Sequence, residues 1–351
     1  MGKIRHLFAG SNSGKGFYSL FDNIIGPEAR RVYLLKGGPG TGKSRLMSHI
    51  AGALAEEGID QERFFCSSDS KALDAVSFPT LGIAMIDATA PHALEATWPG
   101  CRDHLVNLGH FWSTKMLEAK RDEIMRGGRI KQGHFAASFR YFAAALAVEE
   151  NIACRQETGQ RSFDCSWELE EIFALLSSST ASAGDRTDTI RRLFASALTP
   201  EGYVSHIQSL SADMTHLFIL TGGMGTAQNA LLGRIASYAQ GRGYDLEAFH
   251  YPLNPKRLLH LFIPEAGVGV LSEIPLEDLG KLKGRRIACG PVVTSADGGD
   301  LRLYQELLQR GFDSLVEAQS SHHFVEEIYT QAMDFDSLNT CRDQILAEIL
   351  S

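Results

Sequence analysis

The chain contains one long segment twice. Adding 185 to the residue numbers of segment 32–87 places it on segment 217–272 without a gap. The residues that coincide include the pairs Gly37/Gly222, Gly40/Gly225, Leu46/Leu231, Ile50/Ile235, Gly58/Gly243, Pro79/Pro264 and Gly82/Gly267. With an offset of 186, Leu7-Phe8-Ala9 also matches Leu193-Phe194-Ala195, so the repeat begins ahead of residue 32. This self-similarity predicts two copies of one module, at residues 1–180 and 181–351, joined through the small-residue stretch 177–184.

The first copy carries a P-loop signature. Segment 36–45 reads K-G-G-P-G-T-G-K-S-R and contains the spacing Gly37-x-x-x-x-Gly42-Lys43-Ser44. Glycines let such a loop curl so that successive backbone N–H groups point at one phosphate. We expect Lys43 to reach the β- and γ-phosphates of a nucleotide and the Ser44 hydroxyl to bind Mg²⁺. The predicted nucleotide-binding residues are Gly38, Pro39, Gly40, Thr41, Gly42, Lys43 and Ser44.

The sequence around the loop alternates between strands and helices. An apolar run at residues 32–35 precedes the loop, and Leu46, Ile50 and Leu54 follow it at helical spacing. Further strands are predicted near Phe64 and Ile83, with a turn at Pro79, and the second copy repeats them near Phe249, Val268 and Pro264. This order predicts the α/β class, with two tandem P-loop NTPase-type three-layer modules whose sheets are mostly parallel.

Helical additions follow the α/β part of each copy. We predict helices at residues 115–126, 135–152, 301–328 and 336–350. Between the first two, the segment Arg126-Gly-Gly-Arg129 is predicted to be a loop. The early segment 10–15 resembles a second P-loop but is one residue too short, and we expect a loop near the site there.

An apolar run in the first copy ends in a carboxylate. Segment 82–87 reads G-I-A-M-I-D, which is the arrangement in which Asp87 would hold Mg²⁺ through water. The next residue is Ala88, whereas many ATPases place there a glutamate that orients the attacking water, so we expect slow hydrolysis. Asp69 and His92 are the candidates for the missing base. Each has an alternative interpretation, as a turn carboxylate and as a loop cap.

The second copy has lost the charged residues at this site. The replacements are Gly42 by Ala227, Lys43 by Gln228, Ser44 by Asn229, Asp69 by Asn254 and Asp87 by Ser272. Loss of the lysine alone removes a charge-assisted contact of roughly 1.5–3 kcal/mol, about ten- to a hundred-fold in affinity. The second copy is therefore predicted to be a pseudo-site, a degenerate site that binds nucleotide weakly or serves only for packing.

Composition excludes several classes of function. The net charge of -8 argues against a general nucleic-acid binder. No apolar run reaches the roughly 18 residues of a membrane span, and the first residues lack the apolar core of a signal peptide. The six cysteines form no C-x-x-C pair. We expect a cytoplasmic protein with reduced thiols and no membrane partner.

Several motifs together resemble a family of uncharacterised bacterial proteins built from two P-loop NTPase modules in tandem. They are Leu7-Phe8-Ala9, Gly16-Phe17, segment 37–44, segment 86–92 (I-D-A-T-A-P-H) and the closing segment 333–336 (M-D-F-D). The resemblance covers most of the chain and implies an ATPase-like protein, without naming a substrate. In those relatives the second module usually keeps a complete Walker A motif, and Ala227-Gln228-Asn229 departs from it here.

These observations predict ATP binding with Mg²⁺ and slow, regulated hydrolysis in the first module, with the second as a regulatory or structural partner. Lys43, Ser44 and Asp87 would act on the phosphates and the metal, with Asp69 or His92 near the acceptor. One alternative is phosphoryl transfer to a small-molecule acceptor. Another is a nucleotide-dependent switch or scaffold that binds a protein partner.

Overall fold

A computed structural model describes residues 2–91, 94–158, 166–178, 189–223, 226–277, 279–290 and 298–351. His92, one of the two candidate bases, lies outside the described residues, as do Gly225 and most of the predicted linker.

The described residues of the first half of the chain form a six-stranded sheet, a hairpin and four helices. In chain order they are β1 (Ile4–Leu7), β2 (Gly10–Ser13), β3 (Gly16–Ser19), β4 (Arg31–Lys36), α1 (Lys43–Glu56), β5 (Gln61–Cys66), β6 (Asp69–Phe78), β7 (Ile83–Asp87), β8 (Asp103–Asn107), α2 (Thr114–Ala119), α3 (Arg121–Thr158) and α4 (Ser166–Ser178). The strand order in the sheet is β1-β5-β6-β7-β4-β8. Strand β4, which leads into the P-loop segment, lies between β7 and β8 and runs parallel to both.

The second half repeats this architecture. Its elements are β9 (Ile190–Leu193), β10 (Ser196–Thr199), β11 (Gly202–Ser205), α5 (Ile207–Leu210), β12 (His216–Thr221), α6 (Thr226–Gly241), β13 (Leu246–His250), β14 (Leu258–Ile263), β15 (Val268–Ser272), β16 (Arg285–Ala288), α7 (Gly298–Ala332) and α8 (Phe335–Leu350). Short 3₁₀ turns lie at Phe21–Asn23, Pro79–Leu81, Leu108–Phe111, Ser211–Asp213 and Pro264–Ala266. The sheet order β16-β12-β15-β14-β13-β9 is that of the first sheet read in reverse. The prediction of two tandem α/β modules is confirmed.

Strand β6 and its counterpart β14 were not predicted. Each runs antiparallel to both of its neighbours, so the sheets are mixed, with parallel pairs in the majority. The last six residues of β6 are all buried. A strand covered on both faces lacks the alternation of apolar and polar residues by which a half-exposed strand is recognised.

The two modules contact each other through equivalent residues. Phe8 and Phe194 exchange backbone N–H to carbonyl hydrogen bonds, each 3.0 Å long. Segment 10–15, predicted as a loop, instead forms the β2–β3 hairpin. This hairpin contacts the other module, because Asn12 Nδ2 donates to the Leu198 carbonyl at 2.8 Å.

Four charged side chains cross the same interface. The Arg5 guanidinium donates to both carboxylate oxygens of Glu247, at 2.8 and 2.6 Å. In the symmetric contact, Arg191 donates to Glu62 at 2.9 and 2.6 Å. Burial would raise the pKa of Glu62, but Arg191 and Arg5 hold it below its ordinary value. Each module thus supplies an arginine that pairs with a glutamate of the other module, and Arg5 also donates to Glu62 of its own module at 2.8 Å.

The modules also exchange helices. Leu338, Ile345 and Ile349 of α8, from the second half, belong to the hydrophobic core around α1 of the first. Conversely, Leu169 and Ile172 of α4 pack in the core around α6 of the second.

Helices α3 and α7 run antiparallel beside each other along most of their lengths. Lys131 contacts His322 near one end of the pair, and Arg155 binds Asp300 at the other. Segment 126–129 lies inside α3, so the prediction of a loop there was wrong. A Cβ on Gly127 would lie 2.7 Å from Val325, so this glycine permits close helix packing rather than ending the helix.

Within the described part of the chain, none of the helices combines the length and the hydropathy needed to cross a membrane.

Candidate functional site

The predicted phosphate-binding loop connects β4 to α1. Gly40 and Gly42 adopt left-handed backbone conformations, with φ of 69° and 84°. Residues with a Cβ rarely adopt this conformation, which explains the glycines. Helix α1 begins at Lys43, directly after Gly42, so the loop ends in the free N–H groups of a helix N-terminus. Such a terminus favours anions.

The Lys43 ammonium lies at the centre of the loop. Its Nζ donates to the carbonyls of Gly37 and Gly38, at 2.9 and 2.7 Å, and lies 3.6 Å from Asp87 Oδ2. Only 10% of the side chain is exposed. The Lys43 ammonium is therefore held by two neutral carbonyls and one carboxylate. A bound phosphate would compete with these groups for its hydrogen bonds.

Asp87 ends β7 beside the loop. Its Oδ1 accepts the backbone N–H of Thr89 at 2.9 Å, and the Thr89 hydroxyl donates to the Gly37 carbonyl at 2.9 Å. Burial raises the pKa of Asp87, and the nearby Lys43 charge opposes that shift. Through these two hydrogen bonds of Thr89, the turn after β7 links the Asp87 carboxylate to the loop.

Ser44 lies between the loop and β6. Its Oγ accepts the backbone N–H of Leu73 at 2.9 Å, which leaves the hydroxyl proton and a lone pair for other partners. The structure therefore places Lys43, Ser44 and Asp87 around one loop.

Asp74, which the sequence did not reveal, lies in the same region. Only 5% of this residue is exposed, and burial raises its pKa to about 8, with the Asp87 charge adding to the shift. The Cys66 thiol forms a hydrogen bond with its carboxyl group. A single aspartate in the apolar run Leu73 to Val76 was the available signal, but β6 itself was not predicted.

These oxygen groups fit the chemistry of Mg²⁺, which prefers hard oxygen ligands. Burial and then the Asp87 charge raise the pKa of Asp74, and a divalent cation held by Asp87 would oppose the second effect. Ser44 and Asp87 are the residues that would hold the ion. When bound, Mg²⁺ would neutralise charge on the β- and γ-phosphates.

Asp69 occupies the hairpin turn at the start of β6. Its Oδ1 accepts the backbone N–H of Lys71 at 3.1 Å, which is a local turn contact. Its charge nevertheless acts on Asp74 and on Glu326 of α7, so the side chain lies at the edge of the site.

Helices from the second half of the chain cover the loop. A Cβ on Gly38 would lie 2.6 Å from Tyr329, and one on Gly42 would lie 3.0 Å from Leu338. Thr330 Oγ1 donates to the Gly40 carbonyl at 3.3 Å. Sequence reasoning did not predict this cover, because no local pattern links residues so far apart in the chain.

The corresponding region of the second copy keeps the geometry without the charges. Gln228 donates to the Gly222 carbonyl, as Lys43 does to Gly37. Asn229 Oδ1 accepts the N–H of Leu258 at 2.8 Å, as Ser44 does that of Leu73. The second copy thus keeps the polar contacts of the site, but neutral side chains replace the ammonium and the carboxylate.

The fold and this loop define a protein of two tandem α/β modules, with a glycine-rich loop leading into a helix in the first. A family model described as Nephrocystin 3, N-terminal, matches residues 19–94, a segment that contains the loop and Asp87. In this segment, well under half of the chain, the protein is similar to that family. The comparisons with curated proteins and with solved structures give no match.

Proposed function

We propose that the first module binds ATP with Mg²⁺ and hydrolyses it slowly, and that the second module is a pseudo-site with a structural and regulatory role. The observation that carries this proposal is the convergence of Lys43, Ser44 and Asp87 on one loop. Backbone N–H groups, an ammonium and two oxygen ligands are the groups that P-loop proteins use on a nucleotide.

Each of these groups has a separate task. The N–H groups of the loop and of the first turn of α1 bind the phosphate oxygens, and their dipoles favour the anion. Lys43 exchanges its carbonyl partners for phosphate oxygens, which are stronger acceptors because they are charged. Ser44 and Asp87 hold the metal ion against the same phosphates.

Two features support slow and regulated turnover. Ala88, directly after Asp87, is buried and cannot supply a carboxylate to the attacking water. Helix α7 covers Gly38 and Gly40, so access to the loop depends on the second module. We further propose that the chain is a cytoplasmic tandem P-loop protein like the bacterial proteins that it resembles.

Calorimetric titration of ATP·Mg²⁺ into wild type, Lys43→Ala and Gln228→Ala tests this proposal, with released phosphate measured on the same samples. We expect Lys43→Ala to weaken binding about ten- to a hundred-fold, because a charge-assisted contact is lost. Gln228→Ala is the matched control at the equivalent position and should bind ATP as wild type does.

The other outcomes are equally informative. Equal losses in both variants would contradict the assignment of a pseudo-site. ADP formation without free phosphate would indicate a kinase, and binding without turnover would indicate a switch. Absence of ATP binding by the wild type would refute the proposal.

A further inference from the structure

Glu326, on α7 of the second half, lies against the phosphate-binding loop of the first. Burial raises the pKa of its carboxyl group, and the backbone of Gly40 and the Lys43 charge, both close to the group, oppose that shift. The helix backbone is fixed there as well, since the Glu326 carbonyl contacts Gly40 and Thr330 Oγ1 donates to the Gly40 carbonyl at 3.3 Å. Contacts from two consecutive turns of α7 thus hold this part of the helix against Gly40.

Polar groups from both long helices surround this carboxylate. His322 Nε2 lies 3.5 Å from Glu326 Oε1, and His322 Nδ1 lies 3.2 Å from the ammonium of Lys131 on α3. Burial lowers the pKa of His322 to about 4, and the Lys131 charge adds to this effect, so the imidazole is neutral at pH 7. A neutral imidazole can relay a hydrogen bond between Lys131 and Glu326.

Glu326 lies beside the loop that is predicted to hold the phosphates. The N–H groups of such a loop hold the phosphates, and a carboxylate at the edge of the loop lies where the terminal phosphate would approach. Because the Glu326 carbonyl and Thr330 Oγ1 contact Gly40, α7 holds the Glu326 side chain next to the position that the terminal phosphate would take.

We propose that Glu326 is the catalytic carboxylate of the first module, supplied by the second half of the chain, and that it orients and deprotonates the attacking water. This inference rests on the proposed ATPase function. The water oxygen forms a bond to the γ-phosphorus, and the bond from that phosphorus to the β–γ bridging oxygen breaks. The electron pair of the broken bond leaves with ADP, and the water proton passes to Glu326.

The other carboxylates near the loop are less suited to this step. Asp74 is almost fully buried, which keeps the attacking water away from its carboxyl group. Asp69 is engaged by the N–H of Lys71 in a turn. Burial also raises the pKa of Glu326, which makes it a better base, while its side chain stays 34% exposed and within reach of water.

Steady-state kinetics and calorimetry on Glu326→Gln test the role of this residue. We expect kcat for phosphate release to fall about 10²- to 10⁴-fold, the usual contribution of a general base. The Kd for ATP·Mg²⁺ should stay within about threefold of the wild-type value, since Lys43 and the loop are untouched. Glu326→Asp, which keeps a carboxylate, should restore part of the lost turnover.

Glu327→Gln is the matched control, because Glu327 is the next residue on α7 and is exposed. It should leave kcat and Kd unchanged, and thermal melting checks that all three variants fold. If Glu326→Gln binds ATP more tightly and keeps its turnover, Glu326 only competes with ATP for the loop, and the catalytic role is refuted. Unchanged kinetics, or a wild type that binds ATP without releasing phosphate, would refute it as well. Failure of the wild type to bind ATP would instead refute the ATPase function itself.

Discussion

Individual residues of the site fall into two groups, according to how their positions are determined. Lys43 and Ser44 are placed by their chain neighbours, since the loop and the first turn of α1 fix where they point. A local motif is enough to find such residues. Asp74 and Glu326 approach the loop from β6 and α7, and only the tertiary structure brings them there.

Asp74 also gives a pH-dependent contribution to stability. Its folded-state pKa of about 8 exceeds the ordinary value of 3.8, so between these values the native state holds a proton that the unfolded state releases. Stability from this group is therefore full below about pH 4 and is lost as the pH rises towards 8, at up to about 1.4 kcal/mol per pH unit.

Asp74→Asn should remove this dependence. The free energy of unfolding of the variant relative to wild type is expected to increase steadily between pH 4.5 and 7.5, measured by urea denaturation. Asp122→Asn, at an exposed position on α3, serves as the control and should give a constant difference. Parallel pH profiles for wild type and Asp74→Asn would show that the carboxyl group ionises normally.

At the scale of elements, periodicity identified most helices and the strands that flank the loop. It failed where burial on both sides removes the alternation, as in β6, and where glycines serve packing rather than chain breaks, as in α3. The same glycine pair, Gly127-Gly128, can suggest a loop in sequence and form part of a continuous helix. Only the contact of Gly127 with α7 distinguishes the two.

The neighbouring glycines of α3 allow a matched test of that contact. A Cβ at Gly127 would lie 2.7 Å from the buried Val325, whereas a Cβ at Gly128 would meet nothing within 4 Å. Gly128→Ala should stabilise the protein by about 0.5–1 kcal/mol, the gain in helix propensity. Gly127→Ala should be destabilising by about 1–3 kcal/mol, because overpacking separates the helices. Equal effects of the two changes in chemical denaturation would mean that α3 and α7 do not pack closely at this point.

At the scale of the whole molecule, the repeat predicted two modules but not the exchange of helices between them. The two copies share one fold, so a helix from either half finds an equivalent apolar surface on either sheet. The periodicity of such a helix does not indicate which of the two equivalent surfaces the helix covers. The exchange, together with the reciprocal Arg5–Glu247 and Arg191–Glu62 pairs, makes each module incomplete without the other.

Fragments of the chain should therefore fold only in combination. A fragment of residues 1–180 lacks Leu338, Ile345 and Ile349, which cover α1, and loses about 1.5–3 kcal/mol of burial for each of these side chains. Since whole domains are stable by only about 5–15 kcal/mol, we expect this fragment alone to be unfolded by circular dichroism and unable to bind ATP.

Co-expression with residues 181–351 should restore a folded complex of both fragments with ATP affinity close to that of the intact chain. The matched control is residues 1–180 co-expressed with residues 181–297, which lack α7 and α8. This pair should stay unfolded or fail to bind ATP, because the α1 surface remains bare and the loop has lost its cover. A fragment 1–180 that folds alone and binds ATP with wild-type affinity would show that the exchanged helices are accessories, and the second half would then act on the site only as a regulator.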